Sequence, residues 1–491
     1  MAMSLADNGL CSRRPICYKW LVSITPAGRL TDLLGPWRRD GTSRERLAAA
    51  VRALILDGRV AVESRLPAER TLAGALGVSR TTVTAAYDQL RAEGYIASRQ
   101  GSGSWVTLPG GHRSAPDAIV GGPGLDMRIA ALPAPAALED LFLAAARELP
   151  RWLDHHGYDP LGLPPLRRAI AAWFDRRGLP TRPEQILVTN GAMHAVDLSI
   201  RTALPRGRRV LVEVPSYPVA LDALRGAAAL LMPVPVAREG WDLDALRGVA
   251  RTHRPALAYL MPDFQNPTGV LVDEASRRRA MRALRSAGTV VVIDETFVEL
   301  NLDGVEMPAP AASFGDERTI TVGSLSKAVW GGLRVGWARG DPALIHRLVA
   351  ARATSDMSGP LFEQIVATQV LGHLDEILTE RRAMIRRRRD ALAGALARRL
   401  PDWRYALPSG GMFLWAELPE PISTSLSIAA AERDLHLTPG PRYAAAGVLE
   451  RHLRLPFTLA PAQLEQAVEI LAELTPGTVG EPAPKRLAYV A

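Results

Sequence analysis

The chain has 491 residues, enough for a large domain and a small one, with 47% apolar residues and a formal net charge of +8. No run approaches the roughly 20 apolar residues a membrane span needs, and the positive charge permits a nucleic-acid partner without requiring one. Cys11 and Cys17 have neither metal-ligand spacing nor a disulfide framework, so no metal is expected and a reducing, cytoplasmic compartment fits.

Residues 1–40 lack clear periodicity and read as an irregular extension. Between Ser43 and Asp57, apolar residues at 47, 51, 54 and 55 make a helical stripe that Gly58 ends. Ala68 to Leu76 reads as a short helix stopped by Gly77, and Ser79 is placed to cap a third helix reaching about Glu93. On that helix Val83, Tyr87 and Leu90 share the inward face, leaving Arg80, Thr81 and Thr84 available on the other. Residues 95–97 and 104–107 then read as strands around a Gly101-Ser102-Gly103 turn.

Helix, helix, turn, helix, hairpin is the layout of a winged helix-turn-helix, whose recognition helix presents its first residues to the major groove. The segments LPAER (66–70), LGVSRTTV (76–83), EG (93–94) and RQGSG (99–103) closely resemble the DNA-binding domain of the GntR regulators, with Ala68 in place of that family's serine. The resemblance implies a double-stranded DNA operator as partner. It puts Arg70, Ser79, Arg80, Thr81, Thr82 and Thr84 at the DNA, with Gly101 and Gly103 in a wing turn approaching the minor groove. A Gly- and Pro-rich stretch, 108–128, follows and reads as a flexible linker between a domain at 41–107 and one at 129–476, with a tail at 477–491.

From about Arg128, short apolar runs at 185–189, 209–214, 256–261, 289–293 and 319–322 alternate with amphipathic helices. That pattern predicts an α/β domain, a mostly parallel sheet with helices on both faces and a ligand site at the carboxyl ends of the strands. The whole sequence holds three lysines, Lys19, Lys327 and Lys485. Arginine cannot form an imine and lysine can, so one mid-chain lysine in an arginine background marks a place that requires an amine. Ser324 and Ser326 in a small-residue turn, with Arg334 beyond, suit a phosphate dianion beside that amine. Gly191, Ala192 and Met193 follow the run ILVT and open a helix, whose free N–H groups suit the same anion. Asp294 ends the run VVVI, where a carboxylate is costly unless paired.

At Ser324-x-Ser326-Lys327 and Arg334 the chain resembles the pyridoxal-phosphate (PLP) enzymes of the aminotransferase fold, fold type I. The resemblance implies that Lys327 carries PLP as an internal aldimine (a Schiff base) and that Ser324, Ser326, Arg334 and the Gly191-Ala192-Met193 turn bind its phosphate. Tyr217 would stack on the ring, Asn266 of PDFQNPTG would donate to the phenolic oxygen, and Asp294 would pair with the ring nitrogen. Tyr158 would reach the phosphate of the partner subunit's cofactor, and Arg454 would grip a substrate α-carboxylate. Asp294 is expected to precede Lys327 by one helix and one strand. Residues 408–419 and 438–443 match segments of that family's small C-terminal subdomain, read here as α+β. One departure stands out: the tyrosine most relatives carry two or three residues after the aspartate is replaced by Thr296 and Phe297, which weakens a reading as an efficient aminotransferase.

A GntR-type winged helix fused to an aminotransferase-like domain is the architecture of the MocR subfamily of transcription regulators. The resemblance implies a head-to-tail, domain-swapped homodimer that binds PLP, senses an amino compound or PLP itself, and has little or no physiological turnover. The alternative is an active PLP-dependent aminotransferase that carries a DNA-binding domain.

Overall fold

The structure, a computed structural model, describes residues 26–34, 43–56, 60, 64–99, 103–107, 124–205, 207–445 and 449–475. These fall into two compact units that divide near residue 116. Of the stretch 108–128 read as linker, residues 108–123 lie outside the described residues, as do residues 1–25, the tail from 476 and Gly101 of the expected wing turn, whereas 124–128 are a correction, since Leu125 and Asp126 form a strand of the second unit.

The first unit contains α1 (Ala27–Leu34), α2 (Ser43–Leu56), α3 (Glu69–Leu76) and α4 (Arg80–Ala92), then the hairpin β1 (Ile96–Arg99) and β2 (Gly103–Val106). Helix α1 is a correction, since it lies inside the stretch read as irregular. Leu30 and Leu34, one turn apart, are buried, and the helix packs against α3. Packing, rather than any periodicity longer than two turns, forms it. Gly77 closes α3 at φ 61°, in the left-handed region that suits glycine. Ser79 caps α4, its hydroxyl accepting from Thr82 N at 3.1 Å. Val83, Tyr87 and Leu90 are buried, and Tyr87 donates to the Pro67 carbonyl at 3.1 Å.

The second unit opens with β3 (Leu125–Asp126), α5 (Leu138–Glu148) and α6 (Pro164–Arg176). It continues through β4 (Ile186–Thr189), α7 (Ala192–Ala203), β5 (Arg209–Val214), α8 (Pro218–Gly226), β6 (Leu230–Ala237) and β7 (Gly240–Trp241). Then come α9 (Leu243–His253), β8 (Leu257–Leu260), α10 (Glu274–Ala287), β9 (Val290–Asp294), β10 (Thr319–Ser324), α11 (Leu325–Ala328) and β11 (Gly336–Arg339). Eight of these strands form one sheet in the order β4-β11-β10-β9-β8-β5-β6-β7. Strands β10, β9, β8, β5 and β6 run parallel, and β11 and β7 are antiparallel to their neighbours.

Side chains alternate between faces along each strand, and both faces are covered. Leu257, Tyr259 and Val292 enter one core, while Ala258, Leu260, Val291 and Ile293 enter another. The path from β9 to β10 differs from expectation. It holds a single 3-10 turn, Ala311–Phe314, in place of a helix, because Gly304, Pro308 and Pro310 break any longer run. Helices α12 (Pro342–Arg352), α13 (Leu361–Gly372) and α14 (Leu374–Arg399) follow. The chain then forms β12 (Phe413–Glu417), α15 (Ser423–Ala431), β13 (Leu435–His436), β14 (His452–Pro456) and α16 (Pro461–Leu474). β12 pairs with β14, and β13 returns to pair with β3.

Candidate functional site

The carboxyl ends of β4, β5, β8, β9 and β10 all leave the sheet on one edge. The loops there carry Gly191, Tyr217, Asn266, Asp294 and Lys327. Lys327 sits in the single turn of α11, directly after β10. Its amine donates to the Ala130 carbonyl at 2.6 Å. Burial, with Arg454 and Arg334 nearby, lowers its pKa from 10.5 to about 8, against the pull of Asp294. These groups therefore share one electrostatic site. Tyr217, the residue before α8, belongs to it as well, since Asp294, Arg454 and Arg334 all act on its hydroxyl.

Asp294 is buried, and burial raises its pKa. Three donors work against that: Thr296 N at 2.9 Å and the Thr296 hydroxyl on Oδ1, and the Tyr259 hydroxyl on Oδ2 at 2.6 Å. The tyrosine missing at 297 is thus not replaced in kind. Phe297 is a core residue, edge-on to Phe413 at 5.1 Å, and offers no hydrogen-bond donor. Tyr259 was not singled out from the sequence, where it reads as one more apolar residue of a strand.

Asn266 is buried in the loop after β8, and its Oδ1 has no hydrogen-bond partner. The loop is held from below. Gln265 Nε2 donates to Glu213 at 3.1 Å and to the Pro215 carbonyl at 2.7 Å, while its Oε1 accepts from Thr268 N at 3.0 Å. Glu213 also accepts from Trp241 Nε1 and Met261 N, and burial pushes its pKa up to about 7. The fully buried Arg277 pairs with Asp263 at 2.7 Å and donates to Val272 O at 2.8 Å, fixing the other side of the loop.

The turn between β4 and α7 faces Arg334. Arg334 Nη2 donates to Asn190 O at 2.9 Å, and a Cβ on Gly191 would lie 3.1 Å from that nitrogen. Ala192 and Met193 begin α7, where the first amides lack helical acceptors. Ser324 Oγ accepts from Ser326 N at 3.1 Å, so both hydroxyls are at the same turn. The turn is steadied by Asp356, which accepts from Asn190 Nδ2 at 2.5 Å and pairs with the buried Arg352.

Arg454 lies on β14 and is 4% exposed, so an edge-surface role is ruled out. Its guanidinium stands over Phe413 at 4.8 Å and Tyr443 at 5.2 Å, and Nη2 donates to the Arg128 carbonyl. Tyr158 is 58% exposed, with its ring stacked on His156.

Among the winged-helix residues, Arg70, Ser79, Arg80 and Thr81 are exposed and Thr82 is half-buried. Thr84 is half-buried and donates to Glu69 at 2.7 Å. The same carboxylate lies 4.0 Å from Arg80. Gly103 has φ 84°, and Arg65 lies against it, its Nε 2.9 Å from where a Cβ would stand. Arg65 was not read from the sequence as part of the wing.

The donor set suits a phosphorylated pyridine aldehyde. It offers an anion cradle at Arg334, Ser324, Ser326 and the start of α7, a buried acid at Asp294, a buried amide side chain at Asn266 and an amine of lowered basicity at Lys327. Among the described residues, no group of three or more His, Cys, Asp or Glu could hold a metal ion. Nor is any helix among them long and apolar enough to cross a membrane.

Comparison with known proteins matches residues 142–471 to the aminotransferase class I and II family and residues 43–106 to the bacterial regulatory proteins of the gntR family. The chain is 36% identical over 307 residues to a 2-aminoadipate transaminase of Thermus thermophilus, covering 61% of this chain and 76% of that one. It is 31% identical over 393 residues to the probable rhizopine catabolism regulatory protein MocR of Rhizobium meliloti, covering 74% and 79%. Among solved structures, the α-aminoadipate aminotransferase LysN from Thermus thermophilus, complexed with N-(5'-phosphopyridoxyl)-L-leucine, superposes with a TM-score of 0.66. That pair is 34% identical, covering 71% of this chain and 91% of that one.

Proposed function

The chain belongs to the aminotransferase class I and II family and joins a gntR-type domain to it in the manner of the MocR regulators, and from that premise we propose a transcription regulator whose aminotransferase-like domain senses an amino compound or PLP. The observation that carries the reading is the environment of Lys327: a half-buried amine of lowered basicity, with Arg334 and Arg454 beside it, in a chain whose first unit is a winged helix. When bound, PLP supplies an aldehyde that captures amines covalently and a ring that withdraws electrons.

The chain's own residues do the rest. Lys327 presents a neutral amine for a larger share of the time than an exposed lysine does. Arg334, Ser324, Ser326 and the Gly191-Ala192-Met193 turn hold a phosphate, and Tyr217 covers a ring face. Asn266 holds an oxygen, and Asp294, with Thr296 and Tyr259 donating to it, holds a protonated ring nitrogen. Arg454 holds the carboxylate of an amino-acid ligand through a charge-assisted pair. In the first unit, Arg70, Ser79, Arg80, Thr81, Thr82 and Thr84 face duplex DNA, with Gly101 and Gly103 in the wing.

Two copies acting as a head-to-tail homodimer complete the reading. In support, Leu153, Tyr158, Val219 and Met357 are large apolar side chains left exposed, and Val219 and Met357 lie close in sequence to Tyr217 and Asp356. The 36% identity to a transaminase favours a second reading, an active aminotransferase with a DNA-binding domain.

One set of measurements tests both. The full chain is mixed with PLP and its visible absorbance recorded for wild type and Lys327→Ala, then with a panel of amines and amino acids, then with an amino acid and a keto acid. A Lys327-dependent band that one amino compound shifts, without keto-acid turnover, is the expected result. Absence of any Lys327-dependent band overturns the cofactor site, and multiple turnovers with a keto acid favour the aminotransferase.

A further inference from the structure

Three N–H groups converge on one buried carboxylate beside the ligand site. Glu213, the next-to-last residue of β5, is fully buried. Its Oε1 accepts from Trp241 Nε1 at 2.6 Å and from Met261 N at 2.9 Å, and its Oε2 accepts from Gln265 Nε2 at 3.1 Å. A carboxylate accepts at both ends, whereas an amide of the same size presents donors at one of them. Burial pushes its pKa up to about 7, and the charge of Asp294 adds to that rise. A buried carboxylate is costly unless its partners offset the lost water. Three donors aimed at one such group mark a position set by hydrogen bonding rather than by packing.

Glu213 in turn decides which way the Gln265 amide points. The amide nitrogen faces two acceptors, Glu213 Oε2 and the Pro215 carbonyl at 2.7 Å. The amide oxygen faces two donors, Thr268 N at 3.0 Å and the Thr268 hydroxyl at 2.7 Å. Turning the amide over would set like groups against each other at both ends, so its chemistry allows one orientation. The main chain closes on the same residue: Gln265 N donates to Val270 O at 2.9 Å, and Gly269 N to Gln265 O at 2.6 Å. Gln265 thus ties the turn 265–270 to the end of β5, and Asn266, the next residue, is buried in that turn.

An amide at position 213 breaks this arrangement. Its oxygen is held by the two donors Trp241 Nε1 and Met261 N, so its nitrogen meets Gln265 Nε2, donor against donor. Gln265 must then move away or turn over, and turning over sets its nitrogen against both Thr268 donors. In either case Asn266 moves with it.

We propose that Glu213 is a positioning residue that acts through Gln265 to set where the Asn266 amide stands against the cofactor. The proposal rests on the reading of Asn266 as the donor to the phenolic oxygen of PLP, and adds the groups that aim it. An N–H donated to an oxygen favours negative charge there, and so weakens that oxygen's hold on a proton it shares with a neighbouring nitrogen. In Lys327-bound PLP the neighbour is the nitrogen that joins lysine to cofactor. With Asn266 displaced, that nitrogen keeps its proton more firmly. Glu213 therefore tunes the basicity of the joint between Lys327 and PLP from one residue beyond the contact itself.

Visible absorbance of the full chain loaded with PLP tests this, at about pH 8, where Glu213 is mostly charged. The quantity read is the ratio of the two Lys327-dependent bands, the longer-wavelength one with the joining nitrogen protonated and the other without. Asn266→Ala is expected to raise that ratio about three- to tenfold, the worth of one hydrogen bond. Glu213→Gln is expected to raise it in the same direction, and to add nothing further in the Asn266→Ala background, because both changes act through one contact. Gln265→Leu keeps the bulk and removes the amide; it should behave alike, and it serves if Glu213→Gln fails to fold. Loss of a nearby negative charge alone would lower the ratio in either background, so a fall in Glu213→Gln overturns the proposal. An effect that adds in full to that of Asn266→Ala overturns it as well. A raised ratio in Asn266→Ala, with none in Glu213→Gln and Gln265→Leu, rejects the positioning role alone. Absence of a Lys327-dependent band, or a ratio that Asn266→Ala leaves unmoved, rejects the reading beneath it.

Discussion

Lys327 holds its amine where charge is disfavoured. In the unfolded chain it titrates near 10.5, and in the fold at about 8. The charged form is thus the one the fold penalises: the penalty is complete below about pH 8, shrinks as pH rises, and is gone above 10.5. Methionine removes the charge and keeps the bulk. Cofactor-free Lys327→Met is therefore expected to be more stable than wild type at pH 7 by about 2 kcal/mol, the shift converted at 1.4 kcal/mol per unit and reduced by one lost hydrogen bond. The advantage should fade between pH 8 and pH 10.5 in a series of thermal melts. A wild type more stable than the variant at pH 7 would mean the amine is solvated in the apo fold. Lys327 and Asp294 were legible in the sequence because each breaks its surroundings, a lysine among arginines and a carboxylate after four apolar residues. Tyr259 was not, because nothing in ALAYLM separates a tyrosine that packs from one that donates. Only the pairing of Tyr259 with Val292 across β8 and β9 brings its hydroxyl to Asp294. The main-chain partners of Arg454 and Lys327 were equally invisible, since Arg128 and Ala130 act through carbonyls that any residue would supply.

The anion cradle depends on how closely two elements approach. Strand β11 runs antiparallel between β4 and β10, with Gly336 opposite both Thr189 and Ser324. A Cβ on Gly336 would lie 2.5 Å from the Gly191 carbonyl carbon and 2.8 Å from Ala192 N. These are backbone atoms that cannot rotate away, so Gly336→Ala must push the turn before α7 off the strand. The expected result is a loss of about 1–3 kcal/mol of stability together with weaker PLP binding in an absorbance titration. Gly331 provides the control, because a Cβ there meets nothing within 4 Å and Gly331→Ala should bind PLP as wild type does. Equal affinities for the two variants would show that the turn does not carry the phosphate. The parallel strands were legible as apolar runs between helices, with ends shifted by about a residue. β11 was not, because a four-residue strand of Gly, Trp, Ala and Arg carries too little alternation to stand out. Helix α1 was missed for the same reason at helical period, with two buried leucines in eight residues.

At the scale of the whole molecule, the proposed homodimer and the winged helix make a joint prediction about salt. Duplex DNA sheds condensed counterions when cationic side chains neutralise its phosphates, and log K falls with log salt by about 0.9 for each phosphate neutralised. Arg80 opens the recognition helix with its side chain 71% exposed, 4.0 Å from Glu69, close enough to be oriented and open enough to reach a phosphate. Arg80→Ala removes one such contact per winged helix. If both winged helices of a dimer lie on one duplex, the salt slope should drop by about 1.8, and if only one engages, by about 0.9. Fluorescence anisotropy on a labelled non-specific duplex at several salt concentrations measures this without knowledge of the operator. An unchanged slope would remove Arg80 from the phosphate contacts. A drop of the single-contact size, with a dimer seen by ultracentrifugation, would mean that the spacing of the two winged helices does not fit continuous DNA. A drop of the two-contact size that becomes single when amino acids occupy the PLP-loaded site would tie ligand occupancy to that spacing, the outcome expected of a ligand-responsive regulator.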